Sequence, residues 1–281
     1  GHCTTSTFEG AHSTLKERPR EEATGLLHGT ESGACGVAVL MQRHQLIMAH
    51  VGDCRAVLGT LDAQGTLHHV DLTTDHRPTD DGERARILAT GAWIRPMQEE
   101  PYFRPARVYR SEARPRLGPG LTMGRSLGDL DADEVGIIAT PEVSFRAIST
   151  ACDRFLVLAS DGLWEFLSSE SVVEIVGGFL ERGEPAIQAA RFLIATAAFA
   201  WKAEEGDYRD DITAVVVYLE ETRAHMESSV APRSYKAAGR STASFKKRSS
   251  SVKRDGSIHR DGVLASGDGG DMQHSSTVAS G

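Results

Sequence analysis

The segment that most constrains this chain is Phe155-Leu-Val-Leu-Ala-Ser-Asp-Gly-Leu-Trp-Glu-Phe-Leu167. Its first five residues, Phe155 to Ala159, are apolar or small, as in a strand buried on both faces. The run breaks at Ser160-Asp161-Gly162 and resumes with Leu163, Trp164, Phe166 and Leu167. Asp161 therefore stands where a buried strand ends and a turn begins. A charged carboxylate is stable there only if something pairs with it, and a divalent metal is one such partner. Gly162 leaves room for close backbone approach or for a positive φ. Taken alone, the pair also reads as an ordinary Asp-Gly turn.

Two further sites repeat the pattern. Asp210-Asp211 stands before the β-branched run 212–219, which reads as another buried strand. Asp53 lies in Gly52-Asp53-Cys54-Arg55, between the apolar runs 46–51 and 56–58. Three carboxylates at three strand boundaries can converge on one edge of a sheet. Hard oxygen ligands of this kind suit Mn²⁺ or Mg²⁺ and not zinc.

Six motifs in order carry a resemblance. Residues 155–167 resemble the "LASDGLW" segment of the metal-dependent type 2C Ser/Thr protein phosphatases, and His50-Val-Gly-Asp-Cys-Arg-Ala-Val57 is similar to their "NVGDSRAV". Thr74-Asp-His-Arg-Pro78 followed by Glu83, Arg84 and Ile87 resembles "TxDHKP…ExxRI". Gly120-Leu-Thr-Met-Gly-Arg-Ser-Leu-Gly-Asp129 resembles "GLAMSRSLGD", Thr140-Pro-Glu-Val143 resembles "xPEV", and Asp210-Asp-Ile-Thr213 matches "D-N/D-I-T". One match is weak evidence; an ordered set over residues 32–219 is specific. Trp201 with residues 208–213 is most similar to plant and protist members.

The resemblance implies a fold, a chemistry and a set of ligands. The fold is an α+β, four-layer α-β-β-α sandwich of two antiparallel sheets flanked by helices, here expected without the family's N-terminal strands. The chemistry is hydrolysis of phosphoserine and phosphothreonine in phosphorylated proteins, by direct attack of a metal-bridging hydroxide on phosphorus. Two Mn²⁺ or Mg²⁺ ions are implied, with room for a third. Carried over by motif, Asp161 and Asp210 bind one ion of the pair, and Asp53 joins Asp161 at a third, weaker site. Gly162 and Asp211 support them, Asp211 falling where the family has Asn or Asp. His76 matches a family histidine and is expected to steady a loop. Arg125, Arg77 and Arg55 are expected to form ion pairs.

The chain also departs from the family. The upstream "DGHGG" segment, whose Asp bridges both metals, is not found, and Gly1-His2 followed by Cys3 reads as a coincidence or a cloning remnant. Two expectations follow, a fragment of an active phosphatase or a catalytically inactive phosphatase-like module that binds or regulates. Cys54 replaces a Ser, Cys35-Gly36 replaces Thr-Ala, and Gly124 replaces Ser or Ala.

Composition narrows the remaining choices. With 281 residues, 40% of them hydrophobic, the chain can bury one large core. A net charge of −8 disfavours nucleic acid as a partner, and no apolar run approaches the roughly 20 residues of a membrane span. The four cysteines are scattered, so neither a zinc site nor a disulfide framework is indicated, and a reducing cytoplasm or nucleus fits. A monomer is expected.

Along the chain, Phe8, Ala11, His12 and Leu15 lie at helical spacing. The runs 37–41, 46–51 and 56–59 read as an antiparallel meander, with a further strand near 66–72. Residues 83–90 read as a helix stopped at Gly91, and 93–120 mainly as loop. Short strands are expected at 135–139 and 143–145. Ser168 or Ser169 caps a helix carrying Val172, Ile175, Val176, Phe179 and Leu180, and Glu184-Pro185 opens another that runs to about Trp201. The phosphatase-like domain is expected over 1–221. Residues 222–281 are rich in Ser, Gly, Lys and Arg and read as a disordered tail.

Overall fold

The computed structural model describes residues 2–17, 32–42, 44–98, 104–113 and 118–220. The expected tail, 222–281, lies outside them. Helix α1 (His2–Glu17) is followed by β1 (Gly33–Ala34), β2 (Gly36–Gln42), β3 (Gln45–Val51), β4 (Arg55–Leu61) and β5 (Leu67–Asp71). Helix α2 (Asp81–Ala89) leads to β6 (Trp93–Arg95), β7 (Arg107–Tyr109), β8 (Pro119–Leu121) and β9 (Leu127–Gly128). A 3-10 helix (Leu130–Val135) precedes β10 (Glu142–Ala147) and β11 (Asp153–Ala159). The short α3 (Asp161–Trp164), then α4 (Ser169–Glu181), α5 (Ala186–Glu204) and β12 (Ala214–Tyr218) complete the order.

The fold is the expected α+β sandwich of two antiparallel sheets, with α4 and α5 packed on the outer face of one of them. One sheet has the order β10-β3-β2 and the other β12-β11-β4-β5, all pairs antiparallel. Between them lie Leu46 and Met48 from β3, Ala56 and Leu58 from β4, Leu156 from β11 and Leu219. On the outer face of the four-stranded sheet, Val57, Phe155 and Val157 pack against Val172, Val173 and Val176 of α4 and Leu193 and Ala197 of α5. Strand β11 is thus buried on both faces, because alternate residues of its apolar run serve two different cores. Gly59 is opposite Phe155 in the ladder, and a Cβ there would lie 2.3 Å from the Phe155 ring, so the glycine makes the space that the ring fills. Helix α1 lies against β9, and its Phe8 reaches Gly36 at the start of β2.

The helix boundaries follow local chemistry. Ser168 caps α4 by accepting from Ser171 N–H at 3.1 Å, and Pro185 stands at the entrance to α5.

Two expectations need correction and one needs refinement. The first three strands are not one meander: β2 and β3 form a hairpin, but β4 belongs to the other sheet. The chain crosses between sheets at Gly52-Asp53-Cys54, and alternation along a strand does not say which sheet it joins. Most described residues of 93–120 do lie outside strands, but the stretch also carries β6, β7 and β8, which form a third antiparallel sheet. Its strands are three residues each, too short to show a period. Ile87 and Val108, with Ile94 and Leu121, pack with Val135 and Ile137 into a separate core. Finally, 135–139 is not a strand: the 3-10 helix ends at Val135, and Ile138 makes a single bridge with Arg125.

Candidate metal centre

Sheet register brings the three carboxylates together. Ala159, the last residue of β11, pairs with Ala214 of β12 on one side and with Arg55 of β4 on the other. Asp161 follows Ala159 by two residues, Asp53 precedes Arg55 by two, and Asp210 precedes Ala214 by four. All three therefore lie at one end of one sheet. Their charges interact. Burial first, then Asp53 and Asp210, push the Asp161 carboxyl up to about 7. Asp53 is also raised, chiefly by burial, while a hydrogen bond from the Cys35 thiol opposes the rise.

Each turn has its own support. Gly52, before Asp53, has φ +84°, and a Cβ there would lie 2.1 Å from the Cys35 sulfur. Both facts require glycine. The Asp161 turn is tied down from three directions. Trp164 Nε1 donates to the Ala159 carbonyl at 2.9 Å, and Trp201 Nε1 of α5 donates to the Gly162 carbonyl at 2.7 Å. Ser160 Oγ donates to the Asp211 carbonyl at 3.0 Å and accepts from Thr213 N–H at 3.0 Å. Asp211 meets the Asp161 segment through its main chain, its side chain being exposed. Asp210 accepts from the next residue's N–H at 2.7 Å.

Gly162 is as constrained as Gly52. A Cβ on it would lie 2.4 Å from the Asp211 carbonyl oxygen, which the Ser160 bond holds in place. Gly162→Ala is therefore expected to part residue 162 from residue 211. We expect a stability loss of about 1–3 kcal/mol and a Mn²⁺ affinity lower by about tenfold or more. Thermal melts and titration calorimetry check both; an alanine variant with unchanged affinity would show that the turn relaxes freely.

A second network lies behind the turns. Arg55 grips Asp75 with Nε and Nη2 at 3.1 and 2.8 Å, reaches Ser169 at 3.2 Å, and stacks over Trp164 at 5.2 Å. Arg77 touches the same Asp75 at 3.2 Å and is exposed. Glu83 of α2 is buried between Arg125, at 2.7 and 2.9 Å, and Arg86, at 2.6 Å. The expected ion-pair roles of Arg55, Arg77 and Arg125 are what the geometry shows. His76 is buried and its ring accepts from the Gly52 N–H at 3.1 Å.

Does the acidic edge fit a divalent cation? Asp53 Oδ1 is buried and has no hydrogen-bond partner, a costly state for a carboxylate unless a cation meets it. An acid whose proton affinity is raised by burial and by acidic neighbours, as that of Asp161 is by Asp53 and Asp210, is also what an ion would relieve. The donor set is all oxygen, which fits Mn²⁺ or Mg²⁺. The fit is good.

Ser160, Trp201 and Cys35 escaped sequence reasoning. Ser160 sits inside the strongest motif, but nothing local says its hydroxyl bridges to residues 211 and 213. Trp201 carries no signal of its own in the sequence beyond its place in the resemblance.

The family model for Protein phosphatase 2C matches residues 2–204. The chain belongs to the protein phosphatase 2C family. It is 36% identical over 223 residues to "Probable protein phosphatase 2C 18" of Arabidopsis thaliana, covering 78% of this chain and 42% of that protein. It is 37% identical over 215 residues to "Probable protein phosphatase 2C 12" of Oryza sativa subsp. japonica, covering 76% and 51%. The chain therefore spans about half or less of the length of these relatives. Among solved structures, a serine-threonine phosphatase 2C from Toxoplasma gondii matches with a TM-score of 0.63 at 22% identity, over 76% of this chain and 65% of that one. At that identity the match speaks for the protein phosphatase 2C fold alone. Among the described residues, no helix is long and apolar enough to cross a membrane.

Proposed function

We propose that this chain belongs to a metal-dependent phosphoserine/phosphothreonine protein phosphatase using Mn²⁺ or Mg²⁺. The observation that carries the reading is the convergence of Asp53, Asp161 and Asp210 on one sheet edge, with Asp53 Oδ1 buried and unpartnered. Family membership and the names of the curated relatives support it.

Asp161 and Asp210 would hold one cation, and Asp53 with Asp161 a further, weaker one. Cations bound there would supply charge for the phosphoryl oxygens and would acidify water for direct attack on phosphorus. The protein's own contribution is to present the carboxylates on a rigid edge. Ser160 and Trp201 fix the Asp161 turn, and Gly52 and His76 fix the Asp53 turn. With its carboxyl at about 7 in the metal-free protein, Asp161 must release a proton to take a cation. Metal affinity is expected to climb as pH rises through 7.

The test is phosphate release from a phosphoserine peptide and an aryl phosphate, with Mn²⁺ varied. We expect Mn²⁺-dependent release that Asp161→Asn and Asp210→Asn nearly abolish. Asp53→Asn should chiefly raise the metal concentration needed. Metal binding with no release from any substrate would instead support a phosphatase-like binding module.

A further inference from the structure

His50 and His76 are both buried, at 1% and 3% exposure. Their rings stack with centroids 4.3 Å apart and planes 8° apart. Glu142 faces His50 across β10 and β3. The three side chains offer possible ligand atoms that lie within 4.8 Å of one another. By residue type and spacing this trio looks like a metal site, but hydrogen bonding assigns the protons differently. His50 Nε2 lies 2.7 Å from the Thr74 carbonyl. A carbonyl only accepts, so Nε2 carries the proton of that ring. For His76 the direction is reversed: the Gly52 N–H donates to Nδ1 at 3.1 Å. Nδ1 is therefore the lone-pair nitrogen, and the neutral ring keeps its proton on Nε2.

That Nε2 is buried without a hydrogen bond, with Glu142 Oε2 3.6 Å away. To ligate a metal through Nε2, the ring would have to carry its proton on Nδ1, pointing at the Gly52 N–H. A ligating histidine instead donates its second nitrogen to an acceptor, and Gly52 N–H is not one. Burial, reinforced by His50 and Arg125, pushes His76 down to about 3, in keeping with a neutral ring.

The main chain adds a second tie. His76 N–H donates to the Gly52 carbonyl at 3.0 Å, so His76 holds both polar groups of Gly52. The His76 carbonyl in turn accepts from Gly124 N–H at 2.6 Å, and Gly124 is held by Arg86 at 2.7 Å. Gly52 directly precedes Asp53, whose Oδ1 has no bond of its own. The aim of the Asp53 carboxylate is thus set by the peptide that His76 grips, together with the Cys35 thiol that donates to the carboxylate.

We infer that His76 is a positioning residue, a fixed-tautomer clamp that aims Asp53, with Glu142 facing the Nε2 proton and no metal at the trio. The inference rests on the reading of Asp53 as a metal ligand.

The test uses the 281-residue chain and two readouts. Nitrogen-15 imidazole spectra of the metal-free protein should show His76 with an unprotonated Nδ1 and a protonated Nε2. Mn²⁺ affinity, from the electron paramagnetic resonance signal of free ion, should distinguish three variants. His76→Asn puts an amide oxygen near the Nδ1 position and should keep affinity within about threefold. His76→Gln and His76→Ala, which cannot accept there, should lose about tenfold or more, the effect of one buried hydrogen bond. Melting temperatures should fall in all three, so a merely structural role would not separate Asn from Gln. Equal affinities for the Asn and Gln variants overturn the clamp. So does a protonated Nδ1, or a Zn²⁺-induced shift of both rings, which would make the trio a metal site. If the Gln and Ala variants do not fold, the wild-type spectrum still decides the tautomer. Asp53→Asn separates the two layers of inference. If it weakens Mn²⁺ binding while His76→Ala does not, only the clamp fails; if it changes nothing, the Asp53 reading fails as well.

Discussion

Asp161→Asn is expected to lower Mn²⁺ affinity by about 100-fold or more while raising the stability of the metal-free protein at neutral and alkaline pH. The first effect follows from removing the negative charge that holds a divalent ion, since Asn keeps the shape and one acceptor oxygen. The second follows from the charge cluster. Asp161 is pushed from 3.8 up to about 7, by burial first and by Asp53 and Asp210 after it. A carboxyl raised in the folded state binds its proton more tightly there than in the unfolded chain. Its stabilising contribution is fully present below about pH 4 and is lost as pH rises through about 7. At pH 8 the metal-free wild type therefore bears a poorly solvated charge that Asn does not. The variant should be more stable by about 1–2 kcal/mol once solvent screening is allowed for. At pH 4 the two should melt together. Thermal melts in chelator at both pH values check this, alongside Mn²⁺ titration. A variant equally destabilised at both pH values, with unchanged Mn²⁺ affinity, would make Asp161 a structural turn residue.

Glu83→Ala should be the most damaging change away from the acidic edge, at about 3 kcal/mol. Glu83 is buried and neutralises two guanidiniums at once, those of Arg86 and Arg125. Arg86 also donates to the carbonyls of Gly124 and Gly136, and Arg125 to that of Thr140. Deleting the carboxylate leaves two cations facing each other in a partly desolvated space. Although burial opposes ionisation, the Arg86 and Arg125 hydrogen bonds and charges hold Glu83 down to about 2. For a depressed carboxyl the sign is opposite to that of Asp161. Its contribution is present above about pH 4.5 and lost as pH falls through about 2. The stability difference between wild type and Glu83→Gln should be flat from pH 5 to 7 and vanish near pH 2. Denaturant unfolding across that range measures it, and a pH-independent difference would mean that packing, not charge, sets the cost.

The two variants probe parts of the chain that differed in legibility. Asp161, Asp210 and Asp53 were visible because each breaks an apolar run, and a charge at such a break needs a reason. Arg125 and Glu83 were visible only as motif members. Their pairing joins residues 42 positions apart, and no period or turn signal reaches that far. The strands β6 to β8 were invisible for the same cause, each being too short to alternate.

The sequence by itself determined that Phe155 to Ala159 is a strand buried on both faces and that this strand ends just before Asp161-Gly162. It also determined that α4 begins at a serine cap and α5 behind Pro185. These are local matters of side-chain volume, backbone freedom and capping, written within a few residues. Only the tertiary structure decided that Ala214, Ala159 and Arg55 stand side by side, placing three distant aspartates on one edge. It alone decided that Gly52-Asp53-Cys54 crosses between the sheets, that His76 bonds to Gly52, and that Ser160 and Trp201 bond around Asp161. Register and sheet membership come from burying several faces at once, a condition on the whole fold that no single segment records.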